Sequence, residues 1–190
     1  MMLWTAIVTT ARAADPGVAF TFKATVSDVQ DNNSLLGNNI QAGTVLTGTI
    51  SYRVDAQNKS LRNNQGAYEF TSGAGIVIQG GGLTFATDPA STKVRVEIVH
   101  EIVQAKRGDV LLIRSYNNLP LNNNVAVDHI SWQIEDRKGR ALSNAHIPSA
   151  SVTLASWKST QGITIEGSVP PDTGQRFRVR AHLTELVKVK

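Results

Sequence analysis

From Val18 onward the chain alternates apolar and polar residues with a period of two, and this restricts its fold more than any other feature. Successive side chains of a strand point to opposite faces, so an alternating segment presents one face to a core and the other to water. Val18, Phe20, Phe22, Ala24 and Val26 alternate with Ala19, Thr21, Lys23, Thr25 and Ser27. Leu46, Ile50, Tyr52 and Val54 share one face of the next segment, and Thr47, Thr49, Ser51 and Arg53 the other. The second half repeats the pattern at Val94, Val96 and Ile98, at Ile130, Trp132 and Ile134, and at Phe177, Val179, Ala181 and Leu183. Val110 to Ile113 is continuously apolar, which predicts a strand buried on both faces. Shorter candidates lie at Ala67 to Phe70, Ser151 to Leu154 and Gly162 to Ile165.

The punctuation agrees with the periodicity. Gly80, Gly81 and Gly82 separate Ile76 to Ile78 from Leu83 to Phe85, and glycine tolerates the positive φ of a tight hairpin turn. Asn and Asp cluster at 31–34, 38–39, 63–64, 117–118 and 122–124, where their side chains favour loops. No stretch carries a 3.6-residue period. The expectation is an all-β, antiparallel sandwich or jelly-roll-like fold of about ten strands.

A chain of 190 residues fits one domain and buries roughly 70% of its unfolded surface. It therefore needs no covalent staples and has none, because there is no cysteine; disulfides, thiolate metal sites and cysteine catalysis are excluded. Nineteen Lys and Arg against fifteen Asp and Glu give a modest basic surplus without a cationic run beside aromatics, which argues against nucleic acid as a partner. At the start, Leu3 to Val8 is apolar and Ala11-Arg12-Ala13 has the small-residue spacing of a signal-peptidase site. Residues 1–13 are read as a truncated signal peptide, cleaved before Ala14, and 14–190 as a single domain. The apolar stretch is too short to span a bilayer, and no later segment is long enough. A bacterial secreted or periplasmic protein is expected.

Motifs for chemistry are sparse. His100, His129, His146 and His182 have no metal-ligand spacing, and neither Gly-x-Ser-x-Gly nor Ser-x-x-Lys occurs. Glu135 and Asp136 are adjacent on a strand, so they face opposite ways and cannot flank one sugar bond. No catalytic residue, metal site or cofactor is assigned. Asp28, Asp31, Asn32 and Asn33 could offer oxygens to calcium, but they fit a turn better. Arg107-Gly108-Asp109 spells an adhesion tripeptide that here reads as a hairpin turn. Trp132 sits on the apolar face of its strand, whereas Trp157, between a short strand and a polar loop, is a candidate platform for stacking a sugar.

The most distinctive polar feature is Arg176, Arg178, Arg180 and His182, a cationic ladder on one strand face that suits an anionic polysaccharide or another envelope component. The same pattern would also suit an edge strand kept charged against aggregation.

Gly43 to Tyr52, Gly66 to Phe70, Gly81 to Phe85 and Ile134 to Ser143 with Pro148 resemble strand-and-turn segments of uncharacterised exported bacterial β-sandwich proteins of the PEP-CTERM type. Those proteins carry a C-terminal sorting tail, whereas this chain ends Leu186-Val187-Lys188-Val189-Lys190. The resemblance implies a fold and an extracellular destination, and no site. The function expected is a non-catalytic structural or ligand-binding module at the envelope or in the extracellular matrix. The alternative is a polysaccharide-active hydrolase or carbohydrate-binding domain.

Overall fold

The computed structural model describes residues 17–100, 108–149, 152–169 and 174–189; the expected signal peptide lies outside them. Ten strands form: β1 (Val18–Gln30), β2 (Val45–Tyr52), β3 (Gln65–Phe70), β4 (Gly75–Gly80), β5 (Leu83–Ala86), β6 (Val94–Val99), β7 (Asp109–Ser115), β8 (Ala126–Asp136), β9 (Thr160–Ser168) and β10 (Arg176–Lys188). All pair antiparallel in one sheet of order β3-β6-β7-β8-β9-β10-β1-β2-β4-β5. The all-β, ten-stranded expectation therefore holds, and the described residues contain no α-helix. The short strand expected over Ser151 to Leu154 is corrected. Val152 and Thr153 are irregular, and Leu154–Ser156 is a single 3₁₀ turn, closed where the Trp157 N–H donates to the Leu154 carbonyl.

Instead of two hydrogen-bonded sheets stacked as a sandwich, one continuous sheet curls into an open half-barrel. The cause is the seam between β1 and β10, the two longest strands at 13 residues each, which pair from Phe20 opposite Lys188 to Gln30 opposite Arg178. This seam joins β5-β4-β2-β1 to β10-β9-β8-β7-β6-β3, two groups that would otherwise be separate sheets. Register shifts at Lys23/Ala24 and Val26/Asp28 break the ladder locally, and such bulges let a long strand bend while it stays paired.

One face of the sheet is largely apolar. Cross-strand neighbours on it include Phe20 with Ile50, Ile50 with Ile76, Trp132 with Ile113 and Ile163, and Val179 with Ile165, all buried. Curling closes this face on itself: Phe85 of β5 meets Phe177 of β10, four places away in the sheet, with ring centroids 6.2 Å apart. Polar contacts fix the curl at one end, where the Thr87 and Ser115 hydroxyls lie 2.8 Å apart and the Leu119 N–H donates to the Ala86 carbonyl. At the other end a strap over residues 141–149 crosses the opening. Tyr52 Oη donates to the Pro148 carbonyl, and Tyr68 Oη accepts from the Ile147 N–H. Burial pushes the Tyr52 phenol well above its ordinary pKa, so it remains a donor.

The β4–β5 hairpin is as the glycines predict. Gly80 pairs with Leu83, and Gly81 and Gly82 between them have φ of 55° and 75°. Only Gly81 is also crowded, since a Cβ there would lie 2.0 Å from the Asn39 carbonyl oxygen, whereas one on Gly82 would meet nothing within 4 Å. Gly82→Ala should therefore cost about 1 kcal/mol, for the left-handed backbone alone. Gly81→Ala should cost about 3 kcal/mol, because the clash adds overpacking. Denaturant melts of both variants measure the difference; equal losses would mean that the Asn39 contact is immaterial.

Candidate functional site

The polar residues displaced from the concave interior crowd the convex face. The predicted ladder lies there, with Arg176, Arg180 and His182 exposed and Arg178 half-buried. Its strand is central, between β9 and β1, so the edge-guard explanation is corrected. The ladder also has acids woven through it. Arg178 stands opposite Glu166 on β9 and Gln30 on β1, and donates to Gln30 Oε1 at 2.6 Å. Arg180 stands opposite Asp28, whose Oδ2 is buried without a hydrogen-bond partner among the described residues. Asp128 and Glu166 share with Arg176 and Arg178 a cleft of about 620 Å³. Three carboxylates thus lie among the three guanidiniums, a neighbourhood invisible in the β10 segment alone.

The register extends this polar band sideways across the sheet. The Tyr116 N–H donates to the Lys93 carbonyl, the Tyr116 ring stacks on His129 with centroids 5.7 Å apart, and His129 stands opposite Glu166. Lys93, Tyr116, His129, Glu166, Arg178 and Gln30 therefore form one row running across the strands. Burial holds the His129 imidazole below its ordinary pKa; Glu166 pulls it up and Arg114 pushes it further down. The ring is neutral at pH 7.

Two carboxylates whose pairing the sequence analysis did not foresee lie on the inner face. Asp109 and Asp136 are cross-strand partners, 0% and 2% exposed. Such a pair could pass for a catalytic dyad, but both acids are occupied by the backbone. Asp109 Oδ2 accepts the Ala141 and Leu142 N–H groups at 2.7 Å each, while its Oδ1 lies 2.8 Å from His100 Nδ1. Asp136 accepts from the Lys138 and Arg140 N–H groups, which fixes the turn after β8. An Asp at a strand end two residues before Lys138-Gly139 was the available sign of that turn. The buried Asp109 also removes the adhesion reading of the tripeptide, whose Arg107 lies outside the described residues.

The calcium candidates are dispersed. Asp31 spends both oxygens on the Leu35 and Leu36 amides, and Asp28 lies within β1. Among the described residues no three His, Asp or Glu side chains gather as metal ligands. Trp132 is in the core as expected, 2% exposed. Trp157 is 1% exposed, in the wall of a cleft of about 700 Å³ beneath the strap. Gln161 Nε2 donates to the Leu154 and Trp157 carbonyls, locking the turn that drives the indole inward, so no open ring face is left for a sugar. His146 borders the same cleft, and no carboxylate among the described residues lines it.

Burial opposes ionisation of Asp136, yet the Arg140 and Lys138 amides and side-chain charges hold its pKa below the ordinary carboxylate value. Its folded pKa is depressed, so its stabilisation is present above the unfolded value of about 4 and is lost as pH falls through the folded one. Asp136→Asn should cost about 2 kcal/mol at pH 7, the scale of hydrogen bonds to a charged group. The gap between variant and parent should narrow in melts below about pH 4; a gap independent of pH would refute the ionic role.

No family model, curated protein or solved structure matches the chain.

Proposed function

We propose that the protein is an exported, non-catalytic binding module for an acidic polysaccharide of the bacterial envelope or extracellular matrix. The observation that supports this most is the filling of the concave face. A curled sheet that acts on a substrate commonly holds it in the concavity, and here that space is packed with Phe, Trp, Ile and Val side chains. What remains accessible is a convex face of cations, hydroxyls and amides, suited to a hydroxylated, negatively charged polymer. In fold terms the proposal is a sandwich-like enclosure, its two half-sheets facing each other through Phe85 and Phe177 across the β1–β10 seam.

The hydrolase alternative has one cleft in its favour, the one where Asp128 and Glu166 meet. A glycosidase's general acid works with a raised pKa, which an apolar pocket can supply. Asp128 is exposed, the Glu166 side chain is 43% exposed, and the ring that reaches this cleft, Phe177, is buried. No helix among the described residues is long and apolar enough to cross a membrane.

The test is the purified chain on an array of neutral and acidic glycans, with a reducing-end assay alongside. Retention on acidic glycans that weakens with salt, without release of reducing ends, is expected. Hydrolysis abolished by Glu166→Gln or Asp128→Asn would establish the enzyme instead. For export, the N-terminus of the product from an upstream-extended gene should read Ala14. A cytosolic product that keeps Leu3 to Val8 would sink that part of the reading.

A further inference from the structure

The convex face carries its unbalanced positive charge away from the ladder, at the edge formed by β3, β6 and β7. A cleft of about 550 Å³ opens there, lined by Glu69, Phe70, Thr71, Lys93, Arg95 and Tyr116 among others. Its carboxylates are already engaged. Glu69 is paired with Lys59, and Glu97 beside the cleft lies 3.1 Å from Arg95 and also accepts from Arg114. Four cations thus stand against two acids, whereas three acids, Asp28, Asp128 and Glu166, lie among the three arginines of the ladder. Lys93 forms no ion pair among the described residues; its ammonium lies 5.8 Å from the centre of the Tyr116 ring, which is 37% exposed. The Tyr116 phenol and the Thr71 hydroxyl make no hydrogen bond with the described residues.

We infer that this cleft is a binding site for one anionic sugar unit, a hydroxylated ring bearing a carboxylate or a sulfate. The site rests on the binding function proposed above and names where that binding occurs. Lys93 and Arg95 supply charge-assisted donors for the anionic group. The Tyr116 and Thr71 hydroxyls match ring hydroxyls. A nucleic acid suits the cleft less well. Its charge is dense along the strand, Glu69 and Glu97 stand beside the entrance, and His129 covers one face of the ring on which a base would stack.

Calorimetric titration separates the possibilities, with oligogalacturonate, chondroitin sulfate oligosaccharide, neutral malto-oligosaccharide and single-stranded DNA as probes. Circular dichroism and melting of each variant first establish that it folds. Lys93→Gln with Arg95→Gln should weaken the acidic glycan about tenfold or more, and Tyr116→Phe about threefold. The single Lys93→Gln substitution, which breaks no ion pair, should fall between them. The ladder variant with Arg176, Arg178 and Arg180 all changed to Gln should bind within about twofold of the parent, as expected for cations that stand among an equal number of acids. Preference for uronate or for sulfate would identify the anionic group, and either supports the site. If the ladder variant loses binding while the Lys93 and Arg95 variant keeps it, the cleft is wrong and the binding module survives. Equal affinity for DNA would overturn the sugar assignment, and retention of only neutral glycans would overturn the cleft. Failure of every glycan to bind would remove both proposals.

Discussion

A sheet with one largely apolar face must hide that face, and with no second sheet and no α-helix among the described residues to cover it, this one hides it against itself. Most of the other features follow from that requirement. The strands at the centre must be long and bulged to bend, the far strands must be pinned once they meet, and the open end needs a strap. The Phe85–Phe177 contact shows the result in miniature, since rings four strands apart in the sheet become neighbours in the core. The buried Asp109 belongs to the same arrangement, because its carboxylate holds the Ala141 and Leu142 amides where the strap begins. The same closure leaves the accessible polar side chains mainly on the outside.

What could be read from residues was local. Alternation at Val18 to Val26 or Phe177 to Leu183 identifies a strand and its buried face whatever pairs with it, and Gly81-Gly82 identifies a turn. Alternation does not reveal the partner. A sandwich and a single curled sheet bury the same residues in each strand, and they differ here in whether β1 and β10 bond, a contact between segments more than 140 residues apart. Trp157 failed as a candidate platform for a similar reason: its burial depends on Gln161 closing a 3₁₀ turn that no periodicity announces.

The ladder illustrates how a one-dimensional reading misjudges charge. Arg176, Arg178 and Arg180 form a cationic row along β10, but a sheet surface is a lattice, and the neighbours across it are Glu166 and Asp28. Conversely, Lys59, Lys93, Arg95 and Arg114 form no row in the chain and come together only through the pairing of β3, β6 and β7 and the loops beside them. The electrostatic character of such a surface is a property of register, not of segments.

The β1–β10 seam also governs the order in which the protein can fold. Its two strands are the first and the last of the ten, so the centre of the sheet cannot form until nearly all of the chain is present. Each half-sheet could nucleate through its own hairpins, but joining the halves requires closing a loop of almost the whole chain, which places the decisive contacts among the slowest kind to form. A chain built this way would emerge from synthesis with its apolar face uncovered and one edge of β1 unpaired. That state is hazardous if it lingers at high concentration, and it is also the unfolded state in which a polypeptide can be threaded through a narrow channel before it closes on the far side.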